Sequence, residues 1–152
     1  MSNAPQPDEP IVAYATTLHV RDHCLCLAAQ RAARALARRF DVALRPVNLT
    51  NGQFSLLMSL NRPEPPRLGA VARLLAMDRT TLTAALKPLE RRGLVESRPD
   101  ETDRRGRRLV LTEEGRRLLA AALPIWTATH AAIDTALGPL GAPLRAGLAA
   151  VA

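Results

Sequence analysis

The sequence predicts a mainly α-helical fold that carries one small β-hairpin. Three observations lead to this fold class. Apolar residues recur at steps of three and four along most of the 152-residue chain, which is the period of an amphipathic helix. Two short segments, 94–98 and 107–111, instead have the character of strands on either side of a charged turn. Proline, glycine and capping residues divide the helical pattern into separate segments.

The predicted elements are separated by recognisable stop signals. The first helix ends before Pro46, because the residue that precedes a proline disfavours helical backbone. A proline-rich loop over 61–66 follows the second helix, and Gly138 with Pro139 ends the longest one. We therefore predict helices over 22–44, 51–60, 68–76 and 79–92, strands over 94–98 and 107–111, and helices over 113–137 and 140–151.

Capping residues indicate four of these boundaries. Thr50 is followed three positions later by Gln53, which is the spacing of a capping box. Asp78 and Thr112 are good N-caps for the helices that follow them. Gly93 suits the C-terminal end of the helix before the hairpin, where glycine commonly adopts left-handed backbone.

Charge patterning points to a polyanionic partner. The formal net charge is +7, and 20 of the 21 basic residues are arginine. The segment 67–117 holds 13 basic and 8 acidic residues, so net +5 lies in this part of the chain. A basic domain of this size indicates nucleic acid, and the alternative is a solvated basic surface. Aromatic residues make up only 3%, which argues against stacking platforms for single strands.

Several other classes of protein fit the sequence poorly. We find no apolar run of about 18 residues and no signal peptide, so no membrane association is expected. The two cysteines do not form a disulfide framework, which fits a reducing cytoplasm. No nucleophile–base pair, paired carboxylates or glycine-rich phosphate loop is visible, so we expect neither an enzyme nor a cofactor.

Two short helices followed by a hairpin with a basic tip are the order of a winged helix-turn-helix. The second helix is the one that enters the major groove of duplex DNA. Its exposed polar side chains are the candidate phosphate and base contacts, unless they are simply good first-turn residues. They are Arg79, Thr80, Thr81, Thr83 and Lys87.

The hairpin tip is predicted to lie over the neighbouring minor groove. A narrow minor groove concentrates negative potential, which attracts arginine, and the candidates are Arg104, Arg105 and Arg107. Asp103 lies two residues before Arg105 and can hold its guanidinium in a bidentate ion pair. The alternative is a solvated run of charges without a ligand.

The apolar terminal helices predict a two-fold dimer. An apolar seam at four-three spacing runs over 118–136, and three leucines continue it in the last helix: Leu140, Leu144 and Leu148. One small winged domain cannot cover these faces, and a dimer doubles the length of DNA that is read. The alternative is that these helices pack within one chain.

This organisation divides one compact domain into three parts. Residues 1–15 contain three prolines and are predicted to be a flexible tail. Residues 16–48 and 113–152 are predicted to form the helical dimerisation region. Residues 49–112 are predicted to form the winged helix-turn-helix that binds double-stranded DNA.

The segment "LLAMDRTTLTAALKPLERRGLVESRPDETDRRGRRLVLTEEG" resembles the MarR family of bacterial transcription regulators. The matching features are the helix end "LERRGLV", the wing "DETDRRGRR" and the helix start "LTEEG". The resemblance implies a homodimeric repressor that senses a small molecule or an oxidant. It also implies the minor-groove role for Arg105, with Asp103 as its orienting partner. Lys87 and Pro88 depart from the commonest form of the recognition helix.

Cys26 is the candidate sensor of an oxidant such as an organic peroxide. The spacing of "CLAAQRAARALARRF" resembles that of the hydroperoxide-sensing members of the family and puts Cys26 at their reactive cysteine. Those members carry tyrosines where this chain has Gln30 and Phe40. A place near a helix start favours the thiolate, and the alternative is a buried small hydrophobe. A peroxide sensor or redox protein acting through Cys26 is therefore the alternative function.

Two further groups of residues are candidate ligand sites. Trp126 and His130 lie one helical turn apart and are candidates to line a pocket for a small aromatic ligand, with core packing as the alternative. His19, His23 and Cys26 have metal-like spacing, but no fourth ligand is evident. We therefore predict no metal site.

Overall fold

The computed structural model describes residues 11–152, and the chain falls into two compact units, one up to Leu36 and one over Ala37–Ala152. The mainly helical fold with one antiparallel hairpin is confirmed. The elements are α1 (Tyr14–His23), α2 (Leu25–Ala43), α3 (Asn51–Leu60), α4 (Leu68–Leu74), α5 (Arg79–Arg91), β1 (Val95–Pro99), β2 (Arg107–Leu111), α6 (Glu113–Leu137) and α7 (Gly141–Ala149), with short 3₁₀ turns at Arg45–Val47 and Gly138–Leu140.

The first unit contains α1 and the start of α2. The single helix predicted over 22–44 is interrupted at Cys24, which has extended backbone (φ −74°, ψ 105°). Its Sγ accepts a hydrogen bond from the backbone N–H of Leu27 at 3.4 Å, so the thiol caps the first turn of α2. Because α1 begins at Tyr14, the last two residues of the tail predicted over 1–15 belong to a helix. The first ten residues of that tail lie outside the described residues.

The second unit has a continuous apolar core. The predicted inward residues of α5, Leu82, Leu86 and Leu89, are all buried. They pack with side chains from α3, α4, the hairpin and α6, so the helix-turn-helix and the wing share one core. The largest fully buried side chains are Leu44, Leu56, Leu57, Val71, Leu82, Leu89, Val95 and Leu109.

The hairpin is the two-stranded antiparallel wing that the sequence predicts. Val95 lies opposite Leu111 and Pro99 lies opposite Arg107. The loop before α4 adds a third segment beside β2, because the Leu109 N–H donates to the backbone carbonyl of Pro66 at 3.0 Å. This contact joins the root of the wing to the start of the helix-turn-helix.

The predicted helix caps are confirmed. Thr50 and Gln53 form a reciprocal capping box at the start of α3. Gly93 has left-handed backbone at φ 69°, which favours glycine. The Thr112 hydroxyl accepts from the backbone N–H of Gly115 at 3.0 Å and donates to the carbonyl of Gly93 at 2.7 Å. Thr112 therefore ties the start of α6 to the end of the preceding helix.

Gly115 allows a close backbone contact at the same place. A Cβ built at this position would meet the Leu94 carbonyl oxygen, and it would lie 2.7 Å from Leu111 Cδ1. The Leu94 carbonyl also accepts from the backbone N–H of Thr112 at 3.1 Å. Only glycine lets the first turn of α6 lie this close to the wing.

The turn between α4 and α5 is tight. α4 ends at Leu74, two residues earlier than predicted. Ala76 has left-handed backbone at φ 51°, and the Met77 N–H donates to the carbonyl of Ala72 at 2.9 Å. A left-handed non-glycine residue cannot continue a helix, which explains the earlier end.

The two C-terminal helices differ in how much apolar surface the chain itself covers. Three residues of the seam predicted over 118–136 pack on the core of their own chain, so this half of the seam is intramolecular: Leu118, Ala122 and Ile125. In contrast, Leu140, Leu144 and Leu148 are 65%, 47% and 43% exposed. The end of the chain therefore presents uncovered leucines.

Candidate nucleic-acid interface

The first turn of α5 is held by its N-cap. One carboxylate oxygen of Asp78 accepts from the backbone N–H of Thr81 at 2.8 Å, and the other accepts from the Thr81 hydroxyl at 2.6 Å. These hydrogen bonds, that from the hydroxyl above all, lower the pKa of Asp78. The Thr83 hydroxyl donates to the carbonyl of Arg79 at 2.7 Å. Both hydroxyls are thus used within the helix, although their side chains are exposed.

The wing tip is a tight turn in which Gly106 fits closely. The Gly106 N–H donates to the carbonyl of Asp103 at 2.8 Å, and the Asp100 N–H donates to the carbonyl of Gly106 at 3.0 Å. A Cβ on Gly106 would lie 3.2 Å from the Asp103 carbonyl oxygen. The turn therefore needs a small residue, and it leaves three arginines exposed: Arg104, Arg105 and Arg107.

The ion pair predicted between the Asp103 carboxylate and the Arg105 guanidinium is wrong, because the carboxylate binds the Arg105 backbone instead. The Asp103 Oδ1 accepts from the backbone N–H of Arg105 at 3.0 Å, while its carboxylate makes no ion pair with that guanidinium. An aspartate side chain readily bonds the backbone two residues on, and this local bond wins in a tight turn. Asp103 therefore shapes the backbone of the tip and leaves the Arg105 guanidinium free of it.

The start of α5 and the wing tip meet at one basic groove. This groove encloses about 420 Å³ between α4, α5 and the wing. It brings together five predicted residues: Arg79, Thr83, Asp103, Arg105 and Arg107. The other four predicted contacts are exposed but lie outside this lining: Thr80, Thr81, Lys87 and Arg104.

Two groove residues, Arg67 and Arg73, were not singled out from the sequence. Arg73 lies on the polar side of α4, opposite the buried Val71 and Ala72, so its periodicity offered a signal. Gly69 of α4 also lies at the groove, and a Cβ there would be 3.0 Å from the Arg79 guanidinium. The lining thus gathers basic side chains from three elements.

Asp100 lies beneath the wing tip and was not predicted as a site residue. Its side chain is 1% exposed, and its Oδ1 accepts from the backbone N–H of Thr102 at 3.1 Å and from the Thr102 hydroxyl at 2.9 Å. Its Oδ2 lies 2.7 Å from Arg67 Nε and 3.5 Å from Arg108 Nε, in ion pairs without the alignment of a hydrogen bond. The pKa of Asp100 is lowered, first by the hydrogen bond from the Thr102 backbone and then by the Thr102 hydroxyl and the two guanidiniums. Burial acts in the opposite direction and raises it, but by less.

The candidate thiol belongs to the first unit. Cys26 is the second residue of α2 and its side chain is exposed, so the chain itself does not bury it. The Gln30 Nε2 lies 3.2 Å from its sulfur. His19 and His23 stack with ring centroids 4.2 Å apart, and residues 11–152 contain no cluster of three or more side chains suited to a metal ion.

The Trp126 and His130 rings lie beside each other, with centroids 4.8 Å apart, but only Trp126 lines a cavity. Trp126 stacks on Phe54 with ring centroids 6.1 Å apart and lines an apolar cavity of about 380 Å³. His130 lies outside that lining, with its Nδ1 3.0 Å from Asp134 Oδ2. Arg145 of α7 also contacts Asp134, at 3.1 Å. The hydrogen bond from Arg145 is the main cause that lowers the pKa of Asp134, and the bond with His130 is the next. The cavity lining consists of Phe54, Ser55, Met58, Ser59, Leu74, Leu75, Leu123 and Trp126.

Comparisons with known proteins agree with this geometry. The model of the MarR family matches residues 49–106. The crystal structure of the Mycobacterium tuberculosis transcriptional regulator MosR in complex with DNA is 35% identical, with a TM-score of 0.78 over 85% of this chain and 93% of that one. The transcriptional repressor CouR bound to a 23-mer DNA duplex is 30% identical, with a TM-score of 0.70 over 88% and 93% of the two chains.

Curated proteins give the same result. The organic hydroperoxide resistance transcriptional regulator of Bacillus subtilis is 30% identical over 101 residues, which are 66% of this chain and 69% of that protein. With three other curated relatives the match spans between 44% and 62% of their length. No helix within residues 11–152 has the length and apolar character needed to cross a membrane. These relatives are regulators and not enzymes, and the chain belongs to the MarR family of transcription regulators.

Proposed function

We propose that this protein is a repressor in the cytoplasm that binds a pseudo-palindromic duplex DNA operator as a homodimer. The observation that carries the proposal is the basic groove shared by α4, α5 and the wing. Its arginines lie beside the helix that fits a major groove and at the tip that fits the adjacent minor groove. Two relatives at 30% identity or more, MosR and the repressor CouR, are bound to DNA.

We assign the DNA contacts by their place in this geometry. Arg79 and Arg107 line the groove, and Arg105 at the tip enters the minor groove. Thr80, exposed at the start of α5, contacts a base edge or a thymine methyl. Asp103 holds the backbone of the tip. The remaining proposed contacts are Thr81, Thr83, Lys87 and Arg104, together with Arg67 and Arg73.

The test compares two arginines of one hairpin. Arg105 faces the groove, whereas Arg98 bonds Glu96 of its own strand at 2.7 Å and lines a different cavity. We expect Arg105→Ala to weaken binding to a duplex that the wild-type chain selects from a random library. The slope of log affinity against log salt should fall by about one or less. Arg98→Ala is the control and should keep the wild-type slope. Equal affinity of Arg105→Ala and wild type at physiological salt would contradict the wing assignment.

The homodimer is proposed from the uncovered leucines at the end of the chain. Leu140, Leu144 and Leu148 remain exposed, and their burial against a second copy provides the apolar area an interface needs. We place the dimerisation region in 16–48 and 113–152 and the DNA-binding region in 49–112. Half-sites are then about 34–36 Å apart. A monomeric mass by light scattering at micromolar concentration would contradict this arrangement.

The apolar cavity beside Trp126 supports release by a small aromatic molecule. Its described lining residues carry no charge, and the polar ones among them are two serines and Trp126. The ligand that suits it is therefore uncharged. Quenching of Trp126 fluorescence by neutral aromatic compounds, measured with release of DNA, tests this proposal. Quenching of the fluorescence without release of DNA would show that the cavity binds a ligand but does not regulate DNA binding.

A thiol signal through Cys26 is the second candidate. The exposed sulfur favours it, and one relative is named as an organic hydroperoxide resistance regulator. Organic peroxide should then release DNA from wild type and from Cys24→Ser, but not from Cys26→Ser. Unchanged binding of the wild type after peroxide treatment would leave the cavity ligand as the signal.

A further inference from the structure

Asp100 is the one charged side chain that is buried among residues 11–152, and the proposed function above does not use it. A buried carboxylate without partners would be costly, so the contacts that compensate it show what it holds together. They come from three separate segments of the second unit. These are the wing turn, strand β2 and the residue that precedes α4.

The contacts connect the wing to the helix-turn-helix. Arg67, immediately before α4, reaches Asp100 with its Nε at 2.7 Å and donates from its Nη2 to the Thr102 hydroxyl at 3.0 Å. Arg108 of β2 lies beside the same carboxylate and donates from its Nη1 to the backbone carbonyl of Pro65 at 2.8 Å. One carboxylate thus orients two guanidiniums that both join the hairpin to the segment 65–67.

The same residues border the DNA groove. Arg67 lines the groove together with Arg105 of the tip. The side chain of Asp100 itself is 1% exposed and is absent from the lining of the groove, so it cannot meet a phosphate. Its backbone N–H bonds the carbonyl of Gly106, so the carboxylate is fixed to the turn that carries Arg105.

We infer that Asp100 is a positioning residue for DNA binding, which fixes the wing tip against the helix-turn-helix through Arg67 and Arg108. The inference rests on the proposed DNA-binding function. Asp100 touches no DNA in this arrangement. It acts by setting where the Arg105 guanidinium lies relative to α5.

The sign of the effect separates this role from general electrostatics. Removal of a negative charge near the DNA surface should tighten binding, because it reduces repulsion of the phosphates. Asp100→Asn removes one such charge, keeps the size of the side chain and keeps an oxygen for Thr102. However, its amide N–H groups then face the N–H groups of Arg67 and Arg108, and two sets of donors cannot form hydrogen bonds with each other. Positioning therefore predicts weaker binding where charge alone predicts tighter binding.

The experiment compares Asp100→Asn with Glu101→Gln. Glu101 is the neighbouring acid, is exposed and forms no ion pair with the described residues. The probe is a duplex of about two helical turns that the wild-type chain selects from a random library. We expect Asp100→Asn to bind about tenfold more weakly, the effect of one lost contact, while Glu101→Gln binds as tightly as wild type or more tightly. Hydroxyl-radical footprints of Asp100→Asn should lose the minor-groove protection at the flanks and keep the protection of the central sugar–phosphate backbone.

Arg67→Lys supplies a second, charge-conserving variant in case Asp100→Asn does not fold. A lysine has one point of contact and cannot hold Asp100 and Thr102 as the Arg67 fork does. It should lose flank protection in the same way. Asp100→Asn or Arg67→Lys that binds like wild type with intact flank protection overturns the inference. A wild-type chain that selects no duplex instead overturns the proposed function.

Discussion

Substitution of Gly115 tests the packing between α6 and the wing. In Gly115→Ala the added methyl would collide with the Leu94 carbonyl oxygen and would lie 2.7 Å from Leu111 Cδ1. The leucine side chain can rotate, but the carbonyl is held by a hydrogen bond from Thr112. The collision therefore forces a shift of the backbone.

The expected magnitude is a balance of two effects. Overpacking of this kind costs about 1–3 kcal/mol, and contact with backbone puts Gly115 at the upper end. Alanine gains back up to about 1 kcal/mol in helix propensity. We expect a net loss of about 2 kcal/mol, which lowers the Tm by roughly 4–8 °C for a chain of this size.

Gly52→Ala is the matched control. Gly52 is the second residue of α3, and a Cβ there meets no atom within 4 Å. This variant should be as stable as wild type or slightly more stable. The assay is thermal unfolding followed by circular dichroism at one fixed protein concentration, since the Tm of the proposed dimer depends on concentration. A Gly115→Ala protein that melts with or above Gly52→Ala would refute the packing argument.

Two further predictions concern the hydrogen bonds of the same region. Thr112→Val should lower the free energy of unfolding in urea by about 2 kcal/mol, because the cap and the bond to Gly93 are both lost. Thr112→Ser keeps both bonds, and equal midpoints for the two variants would contradict this prediction. The folded pKa of Asp100 lies below the unfolded value of about 3.9, so its stabilisation is present above that pH and is lost as the pH falls through the folded pKa. Asp100→Asn should therefore lose stability less steeply in acid than wild type, which urea unfolding at a series of pH values measures.

The features that were predicted correctly depend on residues close together in the chain. The Thr50–Gln53 box and the Thr112 cap each join residues three apart, and the strand bounds at 107–111 follow from a local pattern. The wing tip shows the limit of this reasoning. Asp103 and Arg105 were paired by charge, yet the backbone N–H of Arg105 binds the carboxylate in this turn. Two local partners competed, and only the turn geometry decides between them.

The features that were missed depend on distant parts of the chain. Arg67 bonds Thr102 from 35 positions away, so neither its place in the groove nor the burial of Asp100 follows from a sequence window. The break at Cys24 was missed for another reason. Periodicity continues across it, and a thiol is not an expected capping group.

The length of α6 has a mechanical consequence. Its 25 residues span about 37 Å from the hairpin to the turn before α7, with Pro124 near the middle. Thr112 and Gly115 clamp one end to the wing, while the pair of Asp134 with Arg145 links the other end to α7. A tilt of about 5° at the clamped end moves the far end by about 3 Å, and the reverse also holds. A change in the angle of the wing therefore moves the C-terminal helix unless α6 bends at Pro124, where the helix lacks one backbone N–H donor.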